Sequence, residues 1–313
     1  MTLIPTAGGD LDTADLGFTL MHEHVFLLSH DLYASYPQLF DREAEVAQAA
    51  AKLDEAYEAG VRTIVDLTTV DLGRDIGLVA EVAARTRMQI VVATGVHLNP
   101  PGYFLRRNPD RILELYLHDL NEGIAGTGIR AGAIKIATEE CTPENEFQLR
   151  IAARAHRATG TPLMTHSNPI IGSGADQQRV FTEEGVDLER VVIGHSGDTT
   201  DVEYLSGLMD RGSTIGMDRF GLSMRANVEE RIATIAELCR RRYASQMVLS
   251  HDAACHFLGV PLETIARNSP EWHFLTIPNR VLPELEQLGL TEEQITAMVV
   301  DNPRRIFEAQ GAY

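Results

Sequence analysis

Lysine, cysteine and tryptophan are scarce in this chain of 313 residues. Only Lys52 and Lys135 among the 27 basic residues are lysine, which leaves 27 − 2 = 25 arginines. Against 45 acidic residues the formal net charge is 27 − 45 = −18. That balance excludes a surface built for nucleic acid or an anionic membrane, because both need clustered basic side chains. The three cysteines, Cys141, Cys239 and Cys255, form no Cys-x-x-Cys pair, which excludes a disulfide framework or a four-cysteine zinc site and fits a reducing compartment. No apolar run reaches the ~18 residues of a membrane span. The first basic residue is Arg42, so no basic stretch opens a signal or transit peptide. The expectation is a cytoplasmic protein with no nucleic-acid and no membrane partner. Low-complexity tracts are absent, and no Gly-rich phosphate loop follows an early strand.

What is present is alternation. Short apolar runs at 18–21, 63–67, 90–94, 133–137, 162–165, 191–194, 214–217 and 247–250 are apolar on both faces, as buried parallel strands are. Helical patterns at 42–59, 74–85, 111–124, 144–159, 175–184, 201–211 and 228–243 follow them. Asp41 and Gly60 bracket the first helix as caps, and Thr291-Glu-Glu-Gln294 is a capping box. Eight strands, each followed by a helix, predict an α/β fold of the (β/α)8 TIM-barrel type, with the active site at the C-terminal face. An open doubly wound sheet is disfavoured by the missing phosphate loop. Length alone suggests two domains at ~150 residues each. The pattern instead predicts one barrel over 1–313, with a short N-terminal β extension (about 1–16) and a long substrate loop, 253–277.

Met21-His22-Glu23-His24 closes the first predicted strand. Residues i and i+2 of a strand point the same way, so both imidazoles reach one ion inside the barrel mouth. His166, His195 and Asp252 each follow a later strand. The interval 166 to 195 is 29 residues, one βα unit, and 195 to 252 is 57, two units. Four imidazoles and a carboxylate therefore converge on one rim. Unrelated surface or core histidines would have to reach four strand ends by coincidence.

Lys135 lies in Ala133-Ile-Lys-Ile-Ala137, the fourth predicted strand. A cation there is costly unless it is paired or neutral, and lysine, unlike arginine, can lose its proton when desolvated. It can snorkel into a salt bridge, act as a Schiff-base amine, or react with CO2 to give a carbamate that bridges two metals. Among so many metal-ligating side chains a cation would repel the ions, so the carbamate is preferred. Lys52, three residues before Glu55, is read as part of a solvated helix face. His118 and His156 lie in helical patterns and are read as surface residues, while His30, His256 and His273 are read as loop residues. His97 ends the third strand and faces the pocket as a candidate substrate contact. Asp66 is read as a structural hydrogen-bonding partner and Cys255 as a packing residue.

Further motifs are Gly17-Phe-Thr-Leu-Met-His-Glu-His24, Thr165-His-Ser-Asn168, Gln177-Gln-Arg-Val-Phe-Thr-Glu-Glu-Gly185 and Val192-Ile-Gly-His-Ser-Gly-Asp198. They continue through Gly216-Met-Asp-Arg-Phe-Gly221, Ser250-His-Asp252 and Asp301-Asn-Pro-Arg304. From about Asp15 to Phe307 the chain resembles the phosphotriesterase family of the amidohydrolase superfamily, and within it the phosphotriesterase-like lactonases. The resemblance implies a binuclear centre. His22, His24 and Asp252 would hold the buried ion and His166 and His195 the more exposed one. Carbamylated Lys135 (N6-carboxylysine) and a hydroxide would bridge both. Zinc is the first expectation, with Co, Fe or Mn as alternatives, and CO2 or bicarbonate supplies the carbamate. Asp198 matches a residue of a proton relay behind Asp252. Arg219, directly after Asp218, resembles the lactonase branch, whereas the organophosphate-degrading branch carries His there. His97 departs from the Tyr that lactonases have, and Leu98-Asn-Pro-Pro-Gly-Tyr103 differs with it. A homodimer is also implied.

The function this points to is a metal-dependent hydrolase that opens hydrophobic lactones, N-acyl homoserine lactones among them. Asp252 would serve as the proton carrier. His97, Tyr103 and Arg219 are candidate substrate contacts, and Phe257, Leu258, Trp272 and Phe274 are candidates for an acyl-chain pocket. The same centre would suit a phosphotriester or a carboxylic ester. A Schiff-base aldolase at Lys135 and a non-catalytic binding protein are the readings from other classes.

Overall fold

The computed structural model describes residues 1–105 and 108–313. Strands β1 (Leu3–Thr6) and β2 (Gly9–Asp12) pair antiparallel as an N-terminal hairpin. The remaining strands are β3 (Thr19–Leu27), β4 (Thr63–Asp66), β5 (Gln89–Gly95), β6 (Ala133–Ala137) and β7 (Leu163–His166). They continue with β8 (Val191–Ile193), β9 (Thr214–Met217), β10 (Met247–Leu249) and β11 (Ala254–Phe257). These nine form one parallel sheet in the order β10-β9-β8-β7-β6-β5-β4-β3-β11, curled as in a (β/α)8 barrel with helices outside.

The pleat's period of two sorts the side chains. Met21, Val65, Val91, Ala93, Ala133, Met164, Val192 and Val248 cluster inside the barrel, with Ile4, Leu16, Ile306 and Phe307 completing that cluster. Their neighbours Leu20, Ile64, Ile90, Ile134, Leu163, Ile193 and Leu249 face outward and pack with the helices. Each fully buried Leu, Ile or Val contributes about 1.5–3 kcal/mol, so these two layers supply the driving force for the fold. On β6, Lys135 stands two residues above Ala133, on the inward face and one layer above the apolar plug. Two of the long helices begin at side-chain caps: Asp41 accepts from Ala44 N–H ahead of Arg42–Glu58, and Asn227 and Glu230 form a capping box at Val228–Arg240. The capping box expected at Thr291 and Gln294 is present.

Five expectations need correcting, the first being that His30 and His256 are loop residues: His30 opens the helix His30–Ser35 and His256 lies in β11. The first barrel strand runs on to Leu27 rather than closing at His24, because β11 lies beside it and pairs Ala254 with His24 and Phe257 with Leu27. For the same reason 253–277 is not a continuous loop. It contains β11 and the helix Leu262–Asn268. His156 is fully buried: its Nδ1 bonds Thr161 O (2.7 Å) and its Nε2 bonds the Tyr313 hydroxyl (2.6 Å). Lys52 is half-buried and donates to the carbonyl of Cys255 at 2.8 Å, so it supports β11.

The ring closes through 250–253. Asp252 N–H donates to His22 O (3.0 Å), His24 N–H to Ala253 O (2.8 Å) and His22 N–H to Ser250 Oγ (2.9 Å). The first and last barrel strands are thus joined at the residues the sequence marked as ligands.

Candidate metal centre

His22, His24, Lys135, His166 and His195 are all at most 4% exposed at the C-terminal end of the barrel. Lys135 Nζ lies 2.8 Å from His22 Nε2. Burial pushes the Lys135 amine down to about 8, against the pull of Asp252 and Asp218. Asp252 Oδ1 is 3.1 Å from His24 Nε2 and 3.4 Å from His22 Nε2, and its Oδ2 is 3.8 Å from His195 Nε2. Ring centroids of His22 and His195 are 4.7 Å apart, and those of His166 and His195 are 4.5 Å apart. The six residues proposed as ligands therefore meet in one place.

Electrostatics prepare them for cations. Burial lowers the pKa of His22, with Lys135 adding to it. Burial likewise lowers His166, and it lowers His195 strongly, helped there by Arg219. Burial alone would raise Asp252, but His22, His195, His24 and Arg219 outweigh it and hold the carboxyl well below its usual range. Neutral imidazoles and an ionised carboxylate are the protonation states that metal ligation requires.

The hydrogen bonds behind the imidazoles settle which nitrogen faces inward. Asp218 Oδ2 is 2.8 Å from His22 Nδ1, and its Oδ1 is 3.0 Å from His195 Nδ1 and 2.7 Å from His195 N. A carboxylate only accepts, so both Nδ1 atoms carry hydrogen and both Nε2 lone pairs face the cluster. Gly216 makes room for Asp218, since a Cβ there would lie 2.6 Å from Oδ2. His24 Nδ1 bonds Thr68 Oγ1 (2.9 Å), whose hydroxyl donates to Asp66 Oδ1 (2.5 Å). His166 is the reverse case: its Nε2 bonds Glu139 Oε1 at 2.8 Å, and its buried Nδ1 has no partner. That vacant nitrogen, together with donor atoms of His22, His24 and Asp252 within 4.8 Å of one another, fits divalent cations bound at the rim.

His195 (φ 58°) and Asp252 (φ 55°) are two of the four non-glycine residues with positive φ among those described. Such backbone costs about 1–3 kcal/mol and persists where its surroundings hold it.

Around this floor, Arg219 Nε donates to Asp252 Oδ2 (3.0 Å) and its Nη1 to Asp198 Oδ2 (2.8 Å). The fully buried Arg231 donates to Asp198 Oδ1 at 2.8 Å. Glu139 also accepts from Asn168 Nδ2 (2.8 Å), and Arg225 reaches Asn168 Oδ1 (2.7 Å). His97 packs edge-on against His166 with centroids 4.9 Å apart. Burial, with Lys135 and His166 nearby, drives its pKa down to about 2, so it is a neutral ring beside the cluster.

The substrate candidates divide. Phe257, Trp272 and Phe274 line one cavity of about 340 Å³, together with Lys52 and Glu55 of the first long helix. Leu258 packs into the outer core instead, and Tyr103 is an exposed residue of the helix Gly102–Leu105; neither lines that cavity. No candidate metal ligand lines it either. Thr68, Glu139 and Asp218 were not singled out from the sequence. Only Asp218 had a signal, sitting inside the Gly216–Gly221 motif beside Arg219.

A parallel barrel with neutral imidazoles, an amine and an ionised carboxylate on its C-terminal rim has the layout of a barrel hydrolase. The chain belongs to the phosphotriesterase family, whose pattern matches residues 2–307. It is 48% identical over 325 residues to the phosphotriesterase homology protein of Mycobacterium tuberculosis, covering 100% of both chains. Aryldialkylphosphatase of Saccharolobus solfataricus is 37% identical over 311 residues, covering 97% of this chain and 99% of that one. The solved structure of the phosphotriesterase from Mycobacterium tuberculosis superposes with a TM-score of 0.96 at 48% identity, covering 99% of this chain and 100% of that one.

Proposed function

We propose that this chain is a metal-dependent hydrolase that opens hydrophobic lactones, with phosphotriesters as poorer substrates. The observation that carries this reading is the buried Lys135 amine, lowered to about 8 and in contact with His22. Such an amine could take up CO2, and the anionic carbamate formed would help hold two divalent ions. Two divalent cations, zinc first, would polarise the electrophile's oxygen and make water a competent nucleophile at neutral pH. His22, His24 and Asp252 would hold one, His166 and His195 the other, and Lys135 both. Asp252 would take the proton from water and return it to the leaving alkoxide. That alkoxide stays tethered because the ester is cyclic. Arg219 orients Asp252 through its Nε, and Asp198, held by Arg231, orients Arg219 in turn. Neutral His97 would donate a hydrogen bond to the lactone. The cavity lined by Phe257, Trp272 and Phe274 supports an acyl chain as the hydrophobic part. We also read the chain as a cytoplasmic homodimer.

A phosphotriester as the main substrate is the second reading, favoured by the likeness to the aryldialkylphosphatase of Saccharolobus solfataricus. Comparing kcat/KM on a long-chain lactone and an aryl phosphotriester separates the two. The lactone is expected to lead. A preference of more than about tenfold for the phosphotriester, ~1.4 kcal/mol in barrier, would reverse the order.

A further inference from the structure

Glu23 stands between the two histidines of β3, fully buried and pointing away from the cluster they enter. Most other outward positions of the barrel strands carry Leu, Ile or Val. A carboxylate there is costly unless several donors satisfy it. All of its side-chain partners lie in one segment. Ser250 Oγ donates to Oε1 at 2.8 Å, His251 N–H to Oε1 at 2.9 Å, and Ala253 N–H to Oε2 at 2.9 Å. The fourth is His251 Nδ1, 2.7 Å from Oε1. Its direction is fixed from the far side of the ring: Ile277 N–H donates to His251 Nε2 at 3.1 Å, so Nδ1 carries the hydrogen and Glu23 accepts.

The residue those donors flank is Asp252. The backbone N–H groups immediately before and after it converge on the two oxygens of one carboxylate, and between them the chain turns through φ 55°. An apolar side chain would fill the same space but could not collect those N–H groups. The same histidine anchors the cavity wall: Trp272 Nε1 donates to His251 O at 2.9 Å, and Ile277 hangs on its Nε2.

We propose that Glu23 is a positioning residue: it holds Asp252 in the left-handed turn that aims its carboxylate at the metal site, and through His251 it steadies the segment Trp272–Ile277, which walls the neighbouring cavity. This inference rests on the reading of Asp252 as a metal ligand. It assigns a role to the middle residue of the His-x-His motif, which metal ligation leaves free.

The test is zinc binding by competition with a chromophoric chelator, together with kcat and KM on a long-chain lactone. Both are measured well below each variant's Tm. Glu23→Gln keeps the volume but presents an amide N–H to a donor. At least a tenfold loss of zinc affinity is expected, with kcat falling by a similar factor. His251→Asn keeps a donor for Glu23 and loses the acceptor for Ile277. Zinc affinity should stay within twofold there, while KM rises severalfold. A folded Glu23→Gln protein that binds zinc and turns over within twofold of wild type, with only its Tm lowered, would overturn the proposal, as would His251→Asn with unchanged KM. If Glu23→Gln does not fold, Glu23→Asp carries the test. It keeps the charge and shortens the reach, so zinc affinity should fall at least threefold, and equal affinity would overturn the proposal. Wild-type protein that takes up no zinc would instead sink the proposed function.

Discussion

At the floor of the site each imidazole is fixed from behind by a bond to another barrel strand or its following loop: His22 and His195 by Asp218, His24 by Thr68, His166 by Glu139. The wall of the neighbouring cavity is held differently. Trp272 makes one side-chain bond, to the His251 carbonyl, and Phe257 and Phe274 are held by packing. The floor has little freedom to move because each shift breaks one of these bonds, which at Asp218 are buried and charge-assisted. The wall can change shape at the cost of contacts alone. On the proposed function chemistry would belong to the strands and specificity to the segment after them, so substitutions in the two regions should give different signatures.

The strongest test of the floor is Lys135→Arg. Arginine stays cationic and cannot form a carbamate, so bound zinc should fall from two ions per chain to one or fewer by elemental analysis. The expected loss in kcat/KM is at least 10³-fold, ~4 kcal/mol. Next comes Asp218→Asn, whose amide cannot accept from both Nδ1–H groups. About a 10–100-fold loss of zinc affinity is expected in the same chelator competition, with KM for the lactone little changed. For the wall the corresponding change is Gly221→Ala. Gly221 has φ +92°, and a Cβ there would lie 2.1 Å from Glu271 O, beside Trp272. A stability loss of ~1–3 kcal/mol is expected, seen as a lower Tm, with a changed dependence of KM on acyl-chain length. Zinc content should stay at the wild-type value; a loss of metal would show that wall and floor are not separable.

The smallest effect lies outside both regions. Burial lowers the pKa of His156 below 6.5, so as pH falls through about 6.5 the unfolded chain takes up a proton that the folded chain refuses. Stability contributed there is full above that pH and declines below it. Wild-type Tm should therefore drop more between pH 7 and pH 5 than the Tm of His156→Gln, by calorimetry, with zinc affinity equal in both at pH 7.

Much of the floor was legible before the structure. His22, His24, Lys135, His166, His195 and Asp252 were each placed at or in a strand by local pattern, but their meeting on one rim also needs a register shift between Leu20 and Glu23 and left-handed backbone at His195 and Asp252. The residues behind them were not. Asp218 lies 196 residues from His22, and Thr68 lies 44 from His24; no period in the chain relates such partners. β11 was missed because Ala254–Phe257 is short and owes its conformation to the exposed edge of β3. His156 and Lys52 were misread for one reason. Helical periodicity shows which face a side chain is on, but not what another segment will lay over that face.

Strand alternation, βα repetition and the choice of ligand-type side chains at strand ends are local properties, and local properties are written in residue order. Which nitrogen of each histidine faces the cluster, how far the Lys135 amine is shifted, and what Glu23 holds depend on burial and on bonds between distant segments. Those exist only once the barrel has closed, because closure removes water and leaves each polar group with the partner that folding brings to it.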